Sequence, residues 1–269
     1  EKIFRTTLTD GLNGKIDFYT EYIDVLRFPD PAYQSALHQF LAFKYKDRPF
    51  DLLIGTSQSA NQFITRYRQD LFPNTPAVLV TSPSDASIPN STAVKIPIGL
   101  GATVEFALTL QPDTEHVFVV SGAAESDKYY LDLAQGQLAP LAVQTDIRYL
   151  IGLPVPELIN KLNHLPPHSI VYFLTLVEDG AGNRYFPTDS LDQVIQSTNV
   201  PIYNWNEAAM DHGIVGGALM SNNLIFQKAA EFGLRVLQGE SVENITPVTV
   251  DPIVKQVDWR QLQKFGIRE

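Results

Sequence analysis

The chain contains no cysteine among its 269 residues, which excludes disulfide frameworks, thiolate nucleophiles and cysteine-ligated zinc together. Basic residues are few. Twenty Lys plus Arg stand against thirty Asp plus Glu, a net charge of −10, so nucleic acid and anionic membrane surfaces are poor partners, and no basic patch stands out. No apolar run nears the roughly 20 residues needed to span a bilayer, and the opening EKIFRTTLTDGLN lacks a signal-peptide core. Membrane attachment is therefore expected only through segments outside this chain. His38, His116, His164 and His168 are scattered, so no metal-ligand spacing emerges. GLGAT, residues 99–103, lacks the third glycine of a dinucleotide loop and the lysine of a P-loop. Neither a metal nor a cofactor is expected.

What is present is an ordinary globular composition, 44% hydrophobic and 19% charged, on a length that suits one large domain or two lobes. The most informative stretch runs from Val200 to Glu240. Val200–Tyr203 and Ile214–Met220 read as buried parallel strands, the second with Gly216 and Gly217 for close backbone approach. Between them a polar, aromatic loop carries Asn204, Trp205, Asn206, Glu207 and Asp211. Leu224, Ile225, Ala229, Phe232, Val236 and Leu237 then recur at helical spacing, and Gly239 marks a stop.

The same alternation holds upstream. Ile3, Phe4, Leu8 and Leu12 form a helical pattern, and KIDFYTEYIDV (residues 15–25) reads as a strand near a sheet edge. Pro29, Asp30 and Pro31 open a helix, DLLIG (51–55) and PAVLVT (76–81) read as buried strands around a capped helix, and residues 93–98 read as another strand. After a helix over GLGATVEFALTLQP, the strand HVFVVS starts a second strand-helix series through IRYLIG, PELINKLNHL, SIVYFLTLVED and LDQVIQS. Two successive series with no Pro/Gly/Ser-rich linker predict α/β doubly wound lobes joined by several crossings.

The pattern P-x-Y, G-x-V-G-G, A-x-x-x-G-x-x-x-L-x-G-E in residues 201–240 resembles the late portion of type I periplasmic binding proteins, in the branch of ABC-transporter substrate-binding proteins. DLLIGTSQSAN and VFVVSGAAESD look like the same family. The tail VDWRQLQKFGIRE is similar to the extracytoplasmic sensor regions of transmembrane sensor histidine kinases. The resemblance implies two doubly wound lobes, residues 1–97 plus 223–245 and residues 98–222 plus 246–269. A three-segment hinge is expected near Ile96–Gly99, Met220–Asn223 and Ile245–Pro247. It also implies periplasmic or extracytoplasmic binding of a small molecule in an interlobe cleft, as the sensor domain of a signalling receptor, without enzymatic chemistry. The alternative is the solute-binding subunit of an ABC importer, and a homodimer is left open. Such a lobe opens with a central strand ahead of its first helix. Here that strand is missing, so its place needs another occupant, and residues upstream of Glu1 are one source.

In doubly wound sheets ligands bind beyond the carboxyl ends of strands. Thr56, Ser57, Gln58 and Ser59 follow DLLIG at a helix N-terminus, where free N–H groups and hydroxyls can hold a carboxylate or serve as plain caps. Ser121, Gly122 and Ala123 form the equivalent turn of the second series, and Ser82, with Ser84 and Asp85, follows PAVLVT. Glu178 and Asp179 close a strand, either as partners of a cationic or hydroxyl group or as a solvated turn. Tyr203, Asn204 and Trp205 offer an aromatic face with polar neighbours, whereas Trp259 reads as core. The expected ligand bears a carboxylate or similar polar group on an apolar or aromatic body, as an amino acid does. A distant alternative is a serine hydrolase: GTSQS faintly resembles a nucleophile elbow and Ser57, Asp179 and His212 follow triad order, but Ser59 replaces the second glycine.

Overall fold

A computed structural model of the chain describes residues 2–25, 28 and 30–268; Glu1, Pro29 and Glu269 from the readings above lie outside the described residues. The chain divides into two compact units, Glu1–Ile98 with Asn222–Pro252 and Gly99–Ser221 with Ile253–Glu269. The chain passes between units after Ile98, Ser221 and Pro252. The third passage falls later than Ile245–Pro247, because Val248–Thr249 still pairs with the sheet of the first unit.

In the first unit, α1 (Lys2–Gly11) is followed by α2 (Pro31–Lys44), β1 (Leu53–Gly55), α3 (Gln58–Leu71), β2 (Ala77–Thr81) and β3 (Ser91–Lys95). The Asp30 carboxylate caps α2 by accepting from the Ala32 N–H at 2.8 Å. The chain returns through α8 (Asn222–Leu237) and β9 (Val248–Thr249), giving a parallel sheet of order β1-β2-β3-β9. Lys15–Val25, expected as a strand, forms none. A strand exists only as part of a ladder, and this stretch has no ladder partner among the described residues.

The second unit holds α4 (Gly101–Leu110), β4 (His116–Ser121), α5 (Glu125–Leu138), β5 (Asp146–Ile151), α6 (Val155–Leu162), β6 (Ser169–Thr175) and α7 (Pro187–Gln196). β7 (Ile202–Tyr203), β8 (Gly216–Met220), β10 (Ile253–Val257) and α9 (Trp259–Phe265) complete it. Its sheet runs β10-β8-β7-β6-β4-β5, parallel except for β10. The two glycines of β8 are explained by close approach: a Cβ on Gly216 would stand 2.1 Å from the Gln256 carbonyl, and one on Gly217 2.0 Å from the Asn204 carbonyl. β6 is buried along its whole length, matching its continuous apolar run. Val171, Phe173 and Leu219 pack there with Leu158 and Leu162 of α6. Trp259 is 63% exposed rather than core: it opens α9 directly after the capping Asp258, and Leu262 is the residue α9 buries.

Candidate functional site

Each unit has an edge formed by the carboxyl ends of its parallel strands, and the two edges differ in how much polar capacity is left unused. In the first unit β1 ends at Gly55, and Thr56, Ser57 and Gln58 are exposed. Ser57 caps α3, its Oγ accepting from the Ala60 N–H at 3.2 Å and lying 3.4 Å from Ser59 Oγ. The first turn of α3 holds no acidic residue, so no carboxylate of its own meets its positive dipole end. Beside it, beyond β2, the Asp85 carboxylate accepts from Thr81 Oγ1 and the Ser82 N–H, and Ser82 Oγ lies 3.0 Å from Ser84 Oγ. Lys95, missed in the sequence, ends β3 in register with Thr81 and donates only weakly, to Pro83 O at 3.4 Å. Its position as the last residue of a parallel strand was the available signal.

The edge of the second unit is closed by two buried carboxylates. Asp127, absent from the sequence candidates, is fully buried and accepts from the N–H groups of Ala124, Val177 and Glu178. Burial pushes its pKa up against the pull of these donors. It thereby fills the N-terminus of α5 with a charge of the chain's own. The Gly122 N–H donates to Thr175 O and the Ala123 N–H to Glu178 O, while Ser121 is 1% exposed. The turn Ser121–Ala123 therefore has its donors engaged within the unit. A Cβ on Gly122 would stand 2.2 Å from Asp127 Oδ2, so only glycine fits against the clamp.

Asp179 is 1% exposed and accepts from the N–H groups of Val155, Ala181 and Asn183, from Asn183 Nδ2 and from the Tyr185 hydroxyl. Desolvation raises its pKa, but these donors outweigh it and bring the carboxyl down to about 2. Glu178, by contrast, is partly exposed and pairs with Arg184 at 2.7 Å. The solvated-turn alternative does not describe Asp179, which is the internal staple of the loop over residues 176–185.

Tyr203 and Trp205, expected to present a face to a ligand, are both core. Tyr203 is fully buried, its hydroxyl donating to Gln111 Oε1 at 2.7 Å, and burial pushes its pKa up. Trp205 is 7% exposed and donates from Nε1 to Leu174 O at 2.8 Å. Asn204 is also buried, donating from Nδ2 to Phe173 O and accepting at Oδ1 from the Asn206 N–H. Outside these lie two tyrosines that the sequence did not single out: Tyr130 packs on Trp205 with centroids 4.9 Å apart, and Tyr129, 37% exposed, meets Tyr130 edge-on. Their signal was the sequence DKYY directly after the turn SGAAES, about one helical turn into α5.

The residues ordered like a hydrolase triad are not connected as one. His212 Nδ1 lies 2.7 Å from Asp192 Oδ1, and the Asp179 carboxylate is occupied by the donors named above. Among the described residues no group of three His, Asp or Glu side chains could hold a metal ion. No described helix is long and apolar enough to cross a membrane.

Compared by sequence, the chain matches no family model and no curated protein. By structure it is similar to an ABC domain from Streptococcus pneumoniae in complex with L-Trp, at 15% identity and TM-score 0.67, covering 99% of this chain and 90% of that one. It is similar to a ligand-free, open substrate-binding protein with adhesive properties from Clostridium difficile, at 17% identity and TM-score 0.68, covering 100% and 91%. An ABC transporter solute-binding protein from Bacillus halodurans with bound myo-inositol matches at 10% identity and TM-score 0.58, covering 98% and 92%. At these identities the likeness establishes the fold: two α/β units of the type I periplasmic binding protein kind.

Proposed function

We propose that this chain binds a small molecule non-covalently, without breaking bonds in it, and that the first unit supplies the polar recognition. The observation that carries this reading is the contrast between the two strand-end edges. Thr56, Ser57 and Gln58 at the N-terminus of α3 are exposed, and Lys95 ends β3, two strands along the same sheet, whereas the corresponding groups of the second unit are spent on Asp127 and Asp179. A carboxylate or comparably polar acceptor suits helix N–H groups, hydroxyls and an ammonium. An amino acid, whose carboxylate suits these donors, fits the first-unit edge better than a polyol does, and the solute-binding neighbours support binding as the mode of action.

The test is calorimetry of the purified chain against a panel of amino acids and polyols, followed by Thr56→Val and Lys95→Met. Among the described hydrogen bonds, Thr56→Val removes none and Lys95→Met removes the weak one to Pro83 O at 3.4 Å. Each removes one polar contact to a charged group, so affinity should fall by about tenfold with little change in Tm. If a ligand binds with the same affinity in both variants, the first-unit edge is not its site.

The likeness of the tail to sensor regions supports an extracytoplasmic sensor module over an importer subunit. Sequencing the gene beyond residue 269 distinguishes them: a membrane-spanning helix leading to kinase domains supports the sensor, and a stop codon the importer subunit.

A further inference from the structure

α2 (Pro31–Lys44) carries two apolar stripes, and the core covers one of them. Leu37 and Leu41, followed by the C-cap Tyr45, recur at helical spacing and pack with Phe63, Phe50 and Phe72 in the first unit. Tyr33, Ala36, Phe40 and Phe43 form the other. Their spacing of three, four and three residues is that of the a and d positions by which one helix packs on another. At about 100° per residue these side chains leave the helix roughly 80–160° round from Leu41. Ala36 is exposed, Phe40 is 54% and Phe43 83% exposed, and neither ring belongs to the core around Leu41. Phe28, 50% exposed, extends the stripe, its ring centroid 5.1 Å from that of Tyr33. A surface helix ordinarily carries charged and polar residues on its outer face. From Pro31 to Phe43 this one has no Asp, Glu, Lys or Arg.

The stripe is complementary to itself. Its four positions are symmetric about residue 38, so a second copy of α2 laid antiparallel across it, with a two-fold axis at that level, sets Phe40 of each copy opposite Ala36 of the other. A ring then meets a methyl group near the centre, and Phe43 meets Tyr33 toward the ends. The same register brings Asp30, exposed at the N-terminal end of one helix, to Lys46, exposed beyond the C-terminal end of the other. The helix dipoles are favourably opposed in that arrangement. Two copies of a chain of net charge −10 repel at long range, but contact along this face sets no acidic side chain of one helix against an acid of the other. At about 200 Å² for each ring, Phe28, Phe40 and Phe43 expose roughly 400 Å² per copy, and about 800 Å² over two copies before the small residues between them are added. That approaches the total of about 1,000–1,200 Å² at which specific, reversible contacts begin.

We propose that the outer face of α2 is a self-association surface, through which two copies of this chain pair their α2 helices antiparallel about residue 38. The occupant is a second copy rather than an unrelated helix, because this one stripe carries both halves of the match in size and in charge.

Sedimentation equilibrium of the 269-residue chain over roughly micromolar to millimolar concentrations should show a reversible monomer–dimer equilibrium. Phe43→Ser should weaken it at least about thirtyfold, the loss expected of an interface anchor, while the Tm of the dilute monomer stays the same because the ring lies outside the core. Phe40→Ala and Ala36→Phe should each weaken pairing. The double variant should restore it, since ring and small side chain then exchange places across the axis. A chain still monomeric at about 1 mM would overturn the proposal and leave the face to a partner of another kind. A dimer untouched by Phe43→Ser would overturn it by placing the contact elsewhere, and a double variant no tighter than its two parents would overturn the antiparallel register.

Discussion

Replacing Asp179 by Asn separates a structural carboxylate from a ligand-binding one. In the folded protein Oδ1 accepts from the Ala181 and Asn183 N–H groups and Oδ2 from the Val155 N–H, Asn183 Nδ2 and the Tyr185 hydroxyl. An asparagine of the same size keeps one oxygen and turns an NH₂ group on donors that then lack an acceptor. Losing charge-assisted bonds in a site 1% exposed should cost about 2–4 kcal/mol at pH 7. The pH dependence provides an independent reading. The carboxyl falls from an ordinary 3.8 to about 2 on folding, so the folded state holds fewer protons between these values. Its contribution, about 2 kcal/mol, is therefore fully present above about pH 4 and is lost as pH falls toward 2. Urea unfolding followed by tryptophan fluorescence measures this, because Trp205 and Trp259 both belong to the second unit. The native protein should lose that stability between pH 4 and pH 2, and Asp179→Asn should show a flatter profile there. A variant as stable as the native protein at pH 7, with an unchanged pH profile, would refute the staple and return Asp179 to the ligand-binding candidates.

Three further outcomes follow from the same packing. Trp205→Ala removes a buried ring and its bond to Leu174 O, so it should lower stability by about 3–5 kcal/mol in the same urea experiment, where an exposed ligand-facing tryptophan would cost almost nothing. Gly122→Ala drives a Cβ against Asp127 and the Glu178 carbonyl and should cost about 1–3 kcal/mol, read as a drop in Tm; an unchanged Tm would contradict the clamp. Arg68 is buried in the first unit, donates to Pro89 O and Asn90 O, and has its pKa lowered by burial. Arg68→Met should destabilise that unit by about 1–3 kcal/mol in calorimetry, and a neutral result would show those carbonyls finding other donors.

The alternation of strands and helices was legible because each buried strand is a short apolar run closed by a turn: residues 51–55, 76–81 and 169–175 all carry it. The turns after them could be placed for the same reason. What the sequence could not show was which polar groups the chain would satisfy internally. Ser57 and Ser121 both follow an apolar run, yet Ser57 is exposed and Ser121 is enclosed, because Ser121 is still the last residue of β4, paired on both sides by β5 and β6, while Ser57 stands two residues beyond the end of β1. Tyr203 and Trp205 lie at a strand end whose side chains can turn inward or outward. Their polar tips found partners, Gln111 and Leu174, whose sequence distance hides them. Lys15–Val25 has the composition of a strand, and composition does not disclose whether a neighbour exists to complete the ladder.

The unequal edges carry a consequence for specificity. At the second unit, the backbone donors that would meet an anion are drawn onto Asp127 and Asp179, whose negative charges stand where a ligand carboxylate would otherwise go. The exposed Tyr129 of that unit offers aromatic surface without a free anion site, and apolar surface alone discriminates weakly between isosteric ligands. At the first unit Thr56, Ser57 and Gln58 are exposed, and if the ligand is held there as proposed, the edge would reject an analogue lacking the acceptor far more strongly, because the desolvated donors would be left unpaired. On the proposed reading, removing the carboxylate from a ligand held at the first-unit edge should therefore reduce affinity much more than trimming its apolar part. A ligand series varied at each end separately would measure the two losses, and equal losses would show that the polar end is not held as the first-unit edge requires.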